Sequence, residues 1–446
     1  MTPHYPQGKV FYRNLHYSYP LVNYGRGLYL YDVEGKKYLD ASGGAAVANI
    51  GHGVKEIAEA ISSQAQKVGY LSGMQFSHFP VEELAEKISR FLPFPSGKTY
   101  FLTSGSEAVE ASIKLARQYW VAKGQNTKAH VISRNPSYHG NTLAALSLSA
   151  REHYKKIFRP LLMEISMIPA PYCYRCFWTE EYPSCQMKCA YELEKEILKL
   201  GKENVSAFLT EVIGGASTGA AQPPIEYFKI IRKICDEHEV LLVVDEVMTG
   251  IGRTGKWLAC HHFDLVPDIV ILGKGLTGGY FPLSALAVKK NIVDTVSKKG
   301  MSFLHAQTYA HHPVGCAAGL ATLNYIEENK LVEKSSEMGR RLLTELAPIL
   351  DHPHVGDIRG KGLLAGVEFV KEKEGKKPFP RKKKYVENFI SRAVEKGLIL
   401  WPNIGQADGV DGDLILLAPP FIITQKEISQ IFNVLREILF EMKNIE

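Results

Sequence analysis

Asp268-Ile-Val-Ile-Leu-Gly-Lys274-Gly-Leu-Thr-Gly-Gly-Tyr280 runs an apolar segment into a lysine and then into a glycine-rich turn. Upstream, Val240-Leu-Leu-Val-Val-Asp245-Glu246 is a second apolar segment, ending in two carboxylates. Short runs of consecutive apolar residues bounded by turns read as strands buried on both faces, the pattern of a parallel sheet. Both strands deliver a charged group at the C-terminal end, where open α/β sheets place ligand sites. Lys274 and Asp245 are therefore the first candidate catalytic residues.

Outward from these strands, strands alternate with helices from about residue 60 to 320. Apolar periodicity places helices over 54–68, 81–92, 106–122, 189–200 and 225–238. After Pro313 one helical pattern continues to about Leu350, followed by a short strand near 362–370 and helices over 384–396 and 426–442. Alternation indicates an α/β fold with a doubly wound, mostly parallel sheet. The expected partition is a large domain over 60–325 and a smaller α+β domain formed by 1–59 together with 326–446. No internal repeat is visible.

Composition excludes more than it selects. A chain of 446 residues with 45% apolar residues can bury a large core. The net charge of +6 is concentrated in the lysine-rich stretch 371–384, which reads as a solvated surface rather than a nucleic-acid or membrane contact. No apolar run is long enough to span a bilayer. The N-terminus, with His4, Lys9 and Arg13 among tyrosines and prolines, lacks a signal-peptide core, so a cytoplasmic protein is expected.

The lysine and aspartate suit a ligand with an aldehyde at one end and a basic ring nitrogen at the other. Thr103-Ser-Gly105-Ser106-Glu107-Ala108 follows a short strand and opens an amphipathic helix. A Ser-Gly-Ser turn at a helix N-terminus offers backbone N–H groups and hydroxyls to an anion. Pro136-Ser-Tyr138-His139-Gly140 follows another strand and could lay a ring over a flat ligand. An amine for the aldehyde, a carboxylate for the ring nitrogen and donors for a phosphate together describe a site for pyridoxal 5'-phosphate.

The motifs occur in a fixed order. Tyr38-Leu-Asp40-Ala-Ser-Gly43 and Gly51-His52-Gly53 come first, then Ser104-Gly-Ser-Glu107-Ala and Tyr138-His-Gly140. Asp245-Glu-Val247-Met-Thr-Gly-Ile-Gly-Arg253-Thr-Gly255, Gly273-Lys274-Gly275, Thr308-Tyr-Ala-His-His-Pro313 and Arg359-Gly-Lys-Gly362-Leu-Leu-Ala-Gly366 follow. From about Gly25 to the C-terminal helix the chain resembles the class III, ω-amino-acid type, aminotransferases of the fold type I pyridoxal-phosphate enzymes.

The resemblance implies roles. Lys274 is similar to the lysine that forms a Schiff base with the cofactor and later moves a proton. Asp245 resembles the partner of the ring nitrogen. Val247 and Tyr138 would cover the two ring faces, Gly105 and Ser106 the phosphate, and Glu211 the ring edge. Thr308 resembles a threonine that reaches the neighbouring chain's phosphate, which implies a homodimer with shared sites. Arg359 resembles an arginine that clamps a substrate carboxylate, with a structural ion pair to Asp357 or Glu368 as the alternative. Val212 and Met248 depart from common family residues, and the stretch 399–404 lacks the mobile arginine of some members. Trp401 is therefore expected to shape the substrate mouth.

Cys173-Tyr-Arg-Cys176 and Cys185-Gln-Met-Lys-Cys189 could bind zinc, pair as disulfides or stay reduced. The reading takes no metal. Gly250-Ile-Gly-Arg-Thr-Gly255-Lys256 imitates a phosphate-binding loop, but Trp257 stands where serine or threonine is needed. The function expected is transfer of an amino group from an ω- or β-amino acid or amine to pyruvate or 2-oxoglutarate, by a ping-pong mechanism. An aminomutase or decarboxylating transaminase is the alternative, and a non-enzymatic zinc-binding protein a remote one.

Overall fold

A computed structural model describes residues 8–443; residues 1–7 and 444–446 of the expected small domain lie outside it. Its centre is a seven-stranded sheet in the order Lys98–Leu102, Ser284–Val288, Ile269–Leu272, Leu241–Asp245, Val205–Glu211, His130–Asn135, Ser166–Pro169. Ser284–Val288 runs antiparallel to both neighbours, and the remaining pairs are parallel. Val205–Glu211, Leu241–Asp245 and Ile269–Leu272 are buried along their whole length, as continuous apolar runs require.

Helices cover the sheet with one apolar face. Tyr227–Glu237 buries Tyr227, Phe228, Ile231, Ile234 and Cys235, the spacing of one helical stripe. Each such side chain contributes about 1.5–3 kcal/mol of burial. Gly105–Ala122 packs on the other side through Ala108, Val109, Ser112, Leu115 and Ala116.

Two smaller sheets complete the molecule. Val22–Arg26, Tyr29–Asp32 and Lys37–Asp40 form one with Leu398–Ile399, which pairs in parallel with Lys37–Asp40 and so joins the two ends of the chain. Val355–Lys361, Leu364–Phe369, Asp413–Leu417 and Trp401–Ile404 form an antiparallel sheet. The single helix expected after Pro313 is two, Pro313–Glu328 and Leu331–Leu346. The break falls at Lys330, whose φ of 50° is left-handed. Neither glycine nor proline marks it, so periodicity alone runs through. No described helix is long and apolar enough to cross a membrane.

Candidate active site

The strand ends open into a cavity of about 890 Å³. Lys274, Asp245, Glu211 and Val247 line it from the sheet; Gly105, Ser106 and Tyr138 line it from two neighbouring turns, and Trp401 from the small antiparallel sheet. Residues spread over almost three hundred positions in sequence thus meet at one place.

Asp245 and Glu246 end the same strand but face different surroundings. Asp245 lines the cavity, with Oδ2 2.8 Å from His139 Nδ1 and Oδ1 accepting the Val247 N–H at 3.0 Å. Glu246 turns into the protein, where it accepts from Thr249 Oγ1 and from the N–H groups of Ala259 at 3.0 Å and Cys260 at 2.8 Å. Burial raises its pKa. Only one of the two carboxylates is available to a ligand.

Lys274 follows Ile269–Leu272 with a φ of 42°, a left-handed conformation disfavoured for a side-chain-bearing residue. Gly275, next in the chain, lies so close to Asn49 that a Cβ would fall 1.9 Å from its Nδ2. Burial lowers the Lys274 pKa from 10.5 to about 8, against the opposing pull of Asp245 and Glu211. The amine therefore exchanges a proton readily near neutral pH.

The helix Gly105–Ala122 points its N-terminus at the cavity. Ser104 and Glu107 form a reciprocal cap that fixes the first turn. A Cβ on Gly105 would sit 3.1 Å from the Val247 methyls, and one on Gly140 would sit 2.3 Å from Ser106 Oγ. Both turns are held close enough for backbone N–H groups to reach an anion. Ser106 Oγ hydrogen-bonds Asn141 at 3.0 Å. Glu211 is fixed by the Gly215 N–H at 2.9 Å and Ser217 Oγ at 2.8 Å.

Two expected site residues lie outside the cavity lining. Thr308 is exposed, beside Gln307, whose Nε2 donates to Thr103 Oγ1 at 3.1 Å and Glu107 Oε1 at 3.2 Å. Arg359 sits in an ion-pair network. Its guanidinium is buried between Asp357, at 2.6 Å, and Glu368, at 2.8 Å, and also donates to the Thr218 carbonyl. Its charge is matched there, away from the cavity lining.

Residues that sequence reasoning passed over also line the cavity: Arg13, Arg151, His153 and Tyr154. Arg13 and Arg151 lie on loops and His153 and Tyr154 on the one-turn helix Glu152–Lys155, none of them in a local motif. His139 gains a definite partner in Asp245. Arg253 of the phosphate-loop imitation is fully buried and bonds the Leu363 carbonyl at 2.9 Å, the Pro419 carbonyl at 2.7 Å and Asn49 Oδ1 at 2.7 Å. That loop is a structural staple. The four clustered cysteines are unbridged, and burial pushes Cys189 up to about 12. Among the described residues, no three His, Cys, Asp or Glu side chains are arranged to hold a metal ion.

The family described as aminotransferase class-III matches residues 12–439. An uncharacterised aminotransferase of Bacillus subtilis, YodT, is 39% identical over 94% of this chain and 95% of its own length. The adenosylmethionine-8-amino-7-oxononanoate aminotransferase of Methanocaldococcus jannaschii is 36% identical, covering 94% of this chain and 92% of its own. The solved structure of a Bacillus anthracis aminotransferase superposes with a TM-score of 0.90 at 36% identity, covering 95% of this chain and 94% of that one. The fold is therefore that of the fold type I transferases, and the chain belongs to the class III aminotransferases.

Proposed function

We propose that this aminotransferase uses pyridoxal 5'-phosphate to move an amino group from an ω- or β-amino acid or amine to an α-keto acid, pyruvate or 2-oxoglutarate, in two half-reactions. The observation that carries the reading is the placement of a readily deprotonated Lys274 and a His139-supported Asp245 in one cavity, opposite a capped helix N-terminus. The donor set fits the cofactor: an amine for its aldehyde, a carboxylate for its ring nitrogen, and N–H groups for its phosphate. When bound, the cofactor supplies an electron sink for the carbon that bears the amino group.

The protein's own groups do the rest. Lys274 Nζ would hold the cofactor and, when free, would accept the proton of the amine-bearing carbon and later return it. Asp245, fixed by His139 and the Val247 N–H, would favour a proton on the ring nitrogen. Val247 and Tyr138 would enclose the cofactor's ring, Gly105 and Ser106 would hold its phosphate, and Glu211 would stand on the substrate side. Thr308 completes the phosphate site of a second copy. The exposed apolar side chains Met74, Phe76, Phe79, Leu304 and Tyr309 support such a homodimer.

A panel of amine donors assayed against pyruvate and 2-oxoglutarate tests the reading. Formation of alanine or glutamate with loss of the donor amine is the expected result. Isomerised donor without an acceptor would assign an aminomutase instead, and carbon dioxide release a decarboxylating transaminase.

A further inference from the structure

We propose that Arg151, assisted by Arg13, is the carboxylate-recognition site of this cavity, so that the enzyme selects substrates carrying a carboxylate. The inference rests on the aminotransferase reading and names the substrate class for it.

Arg151 lies just beyond the helix Leu143–Leu148 and is only 8% exposed, yet it lines the cavity. Its Nη1 donates to the Ala216 carbonyl at 2.6 Å and its Nη2 to the Ile404 carbonyl at 3.2 Å. These carbonyls orient the guanidinium without neutralising it. The acid that acts on it through space is Glu211, and the Glu211 oxygens are already held by Gly215, Ser217 and the Tyr138 N–H. Burial lowers the Arg151 pKa, the mark of a charge kept from water. Arg359 offers the contrast, because Asp357 and Glu368 match its charge.

The surroundings are cationic. Arg13 lines the same cavity, and both guanidinium groups stand over the Tyr154 ring, at 5.4 Å for Arg13 and 5.2 Å for Arg151. His153, also in the lining, is held neutral down to about pH 4 by burial, then by Arg151, Arg13 and Arg381. A buried guanidinium facing a cavity is costly unless an anion meets it. A planar fork presents paired donors that match a carboxylate. Trp401 in the same lining would pack on the apolar part of the substrate.

Calorimetry on the holoenzyme with pentanoate, a carboxylate that cannot react, and with pentanamide, its uncharged counterpart, tests the proposal. Wild type should bind pentanoate more tightly than pentanamide. In Arg151→Met that preference should fall about 10²-fold, and in Arg151→Lys, which keeps the charge but loses the fork, by a smaller factor. Arg13→Met, at an exposed position, should lose only a few-fold. The ratio of kcat/KM for β-alanine to that for propylamine should fall in parallel. A folded Arg151→Met holoenzyme that keeps its preference for pentanoate overturns the proposal. Failure of the aminotransferase reading looks different: no amino transfer by wild type, with pentanoate binding still dependent on Arg151.

Discussion

The cavity has two kinds of wall. One is made of strand ends, with Glu211, Asp245 and Lys274 delivered by neighbouring strands of one ladder. The other is made of loops, a one-turn helix and a hairpin, with Arg13, Arg151, His153, Tyr154 and Trp401. The strand-end groups are fixed by the sheet itself, so their spacing follows from buried apolar runs. The loop groups are fixed one at a time, as Arg151 is by the carbonyls of Ala216 and Ile404. Rigid positioning suits bond-making chemistry, which tolerates little misplacement. Groups held one at a time on loops can be replaced with less disturbance to the sheet, which is why the proposed substrate contact is placed on this wall.

Substitutions can break this division, beginning with the largest expected effect. Lys274→Ala should reduce amino transfer by at least on the order of 10⁴-fold while leaving the thermal transition in place, because no second amine stands at the strand end. Single-turnover assays check this, and retained turnover would move the chemistry off this wall. Asp245→Asn should keep the cofactor and lose about 10²–10⁴-fold in rate.

Glu246 sharpens the comparison, since it differs from Asp245 by one position. Glu246→Ala strands the donors of Thr249, Ala259 and Cys260, so it should lower stability by about 2–5 kcal/mol in urea titration. Asp245→Asn should move that midpoint far less. Equal loss of stability in both variants would deny the two carboxylates separate jobs.

The smallest effect is a pH slope in cofactor-free protein. The Lys274 pKa falls from 10.5 to about 8 on folding. Between those values the unfolded chain binds more protons than the folded one, so stability rises with pH across the window. Below about 8 both states are protonated and the slope vanishes. The shift corresponds to about 3 kcal/mol. Buried thiols such as Cys235 and Cys260, whose pKa burial raises, tilt the slope the other way. The test is therefore the difference: the urea midpoint of wild type relative to that of Lys274→Met should rise from about pH 8 to 10.

The strand-end wall was legible in the sequence, and the loop wall was not. Leu241–Asp245 and Ile269–Leu272 announce themselves as buried strands, and a charged residue at their ends has few alternatives. The Ser-Gly-Ser turn was equally plain, because a reciprocal cap leaves a pattern within four residues. Arg359 left both readings open in sequence: its ion-pair partners Asp357 and Glu368 are near in the chain, whereas the approach of Tyr172 and Thr218 is visible only in the fold. Arg151 was silent for the same reason. What distinguishes it is that, among the described residues, its guanidinium is held by carbonyls rather than by an ion pair, which no local spacing encodes. The helix break at Lys330 escaped because a left-handed lysine interrupts a helix without altering its apolar period.

Borohydride reduction of the holoenzyme followed by peptide mapping tests the strand-end site most directly. The reduced cofactor should be found on the peptide containing Gly273-Lys274-Gly275, in stoichiometric yield and absent from Lys274→Ala. Cofactor fixed to any other lysine, or to none, would contradict the assignment of Lys274 and with it the site built around that residue.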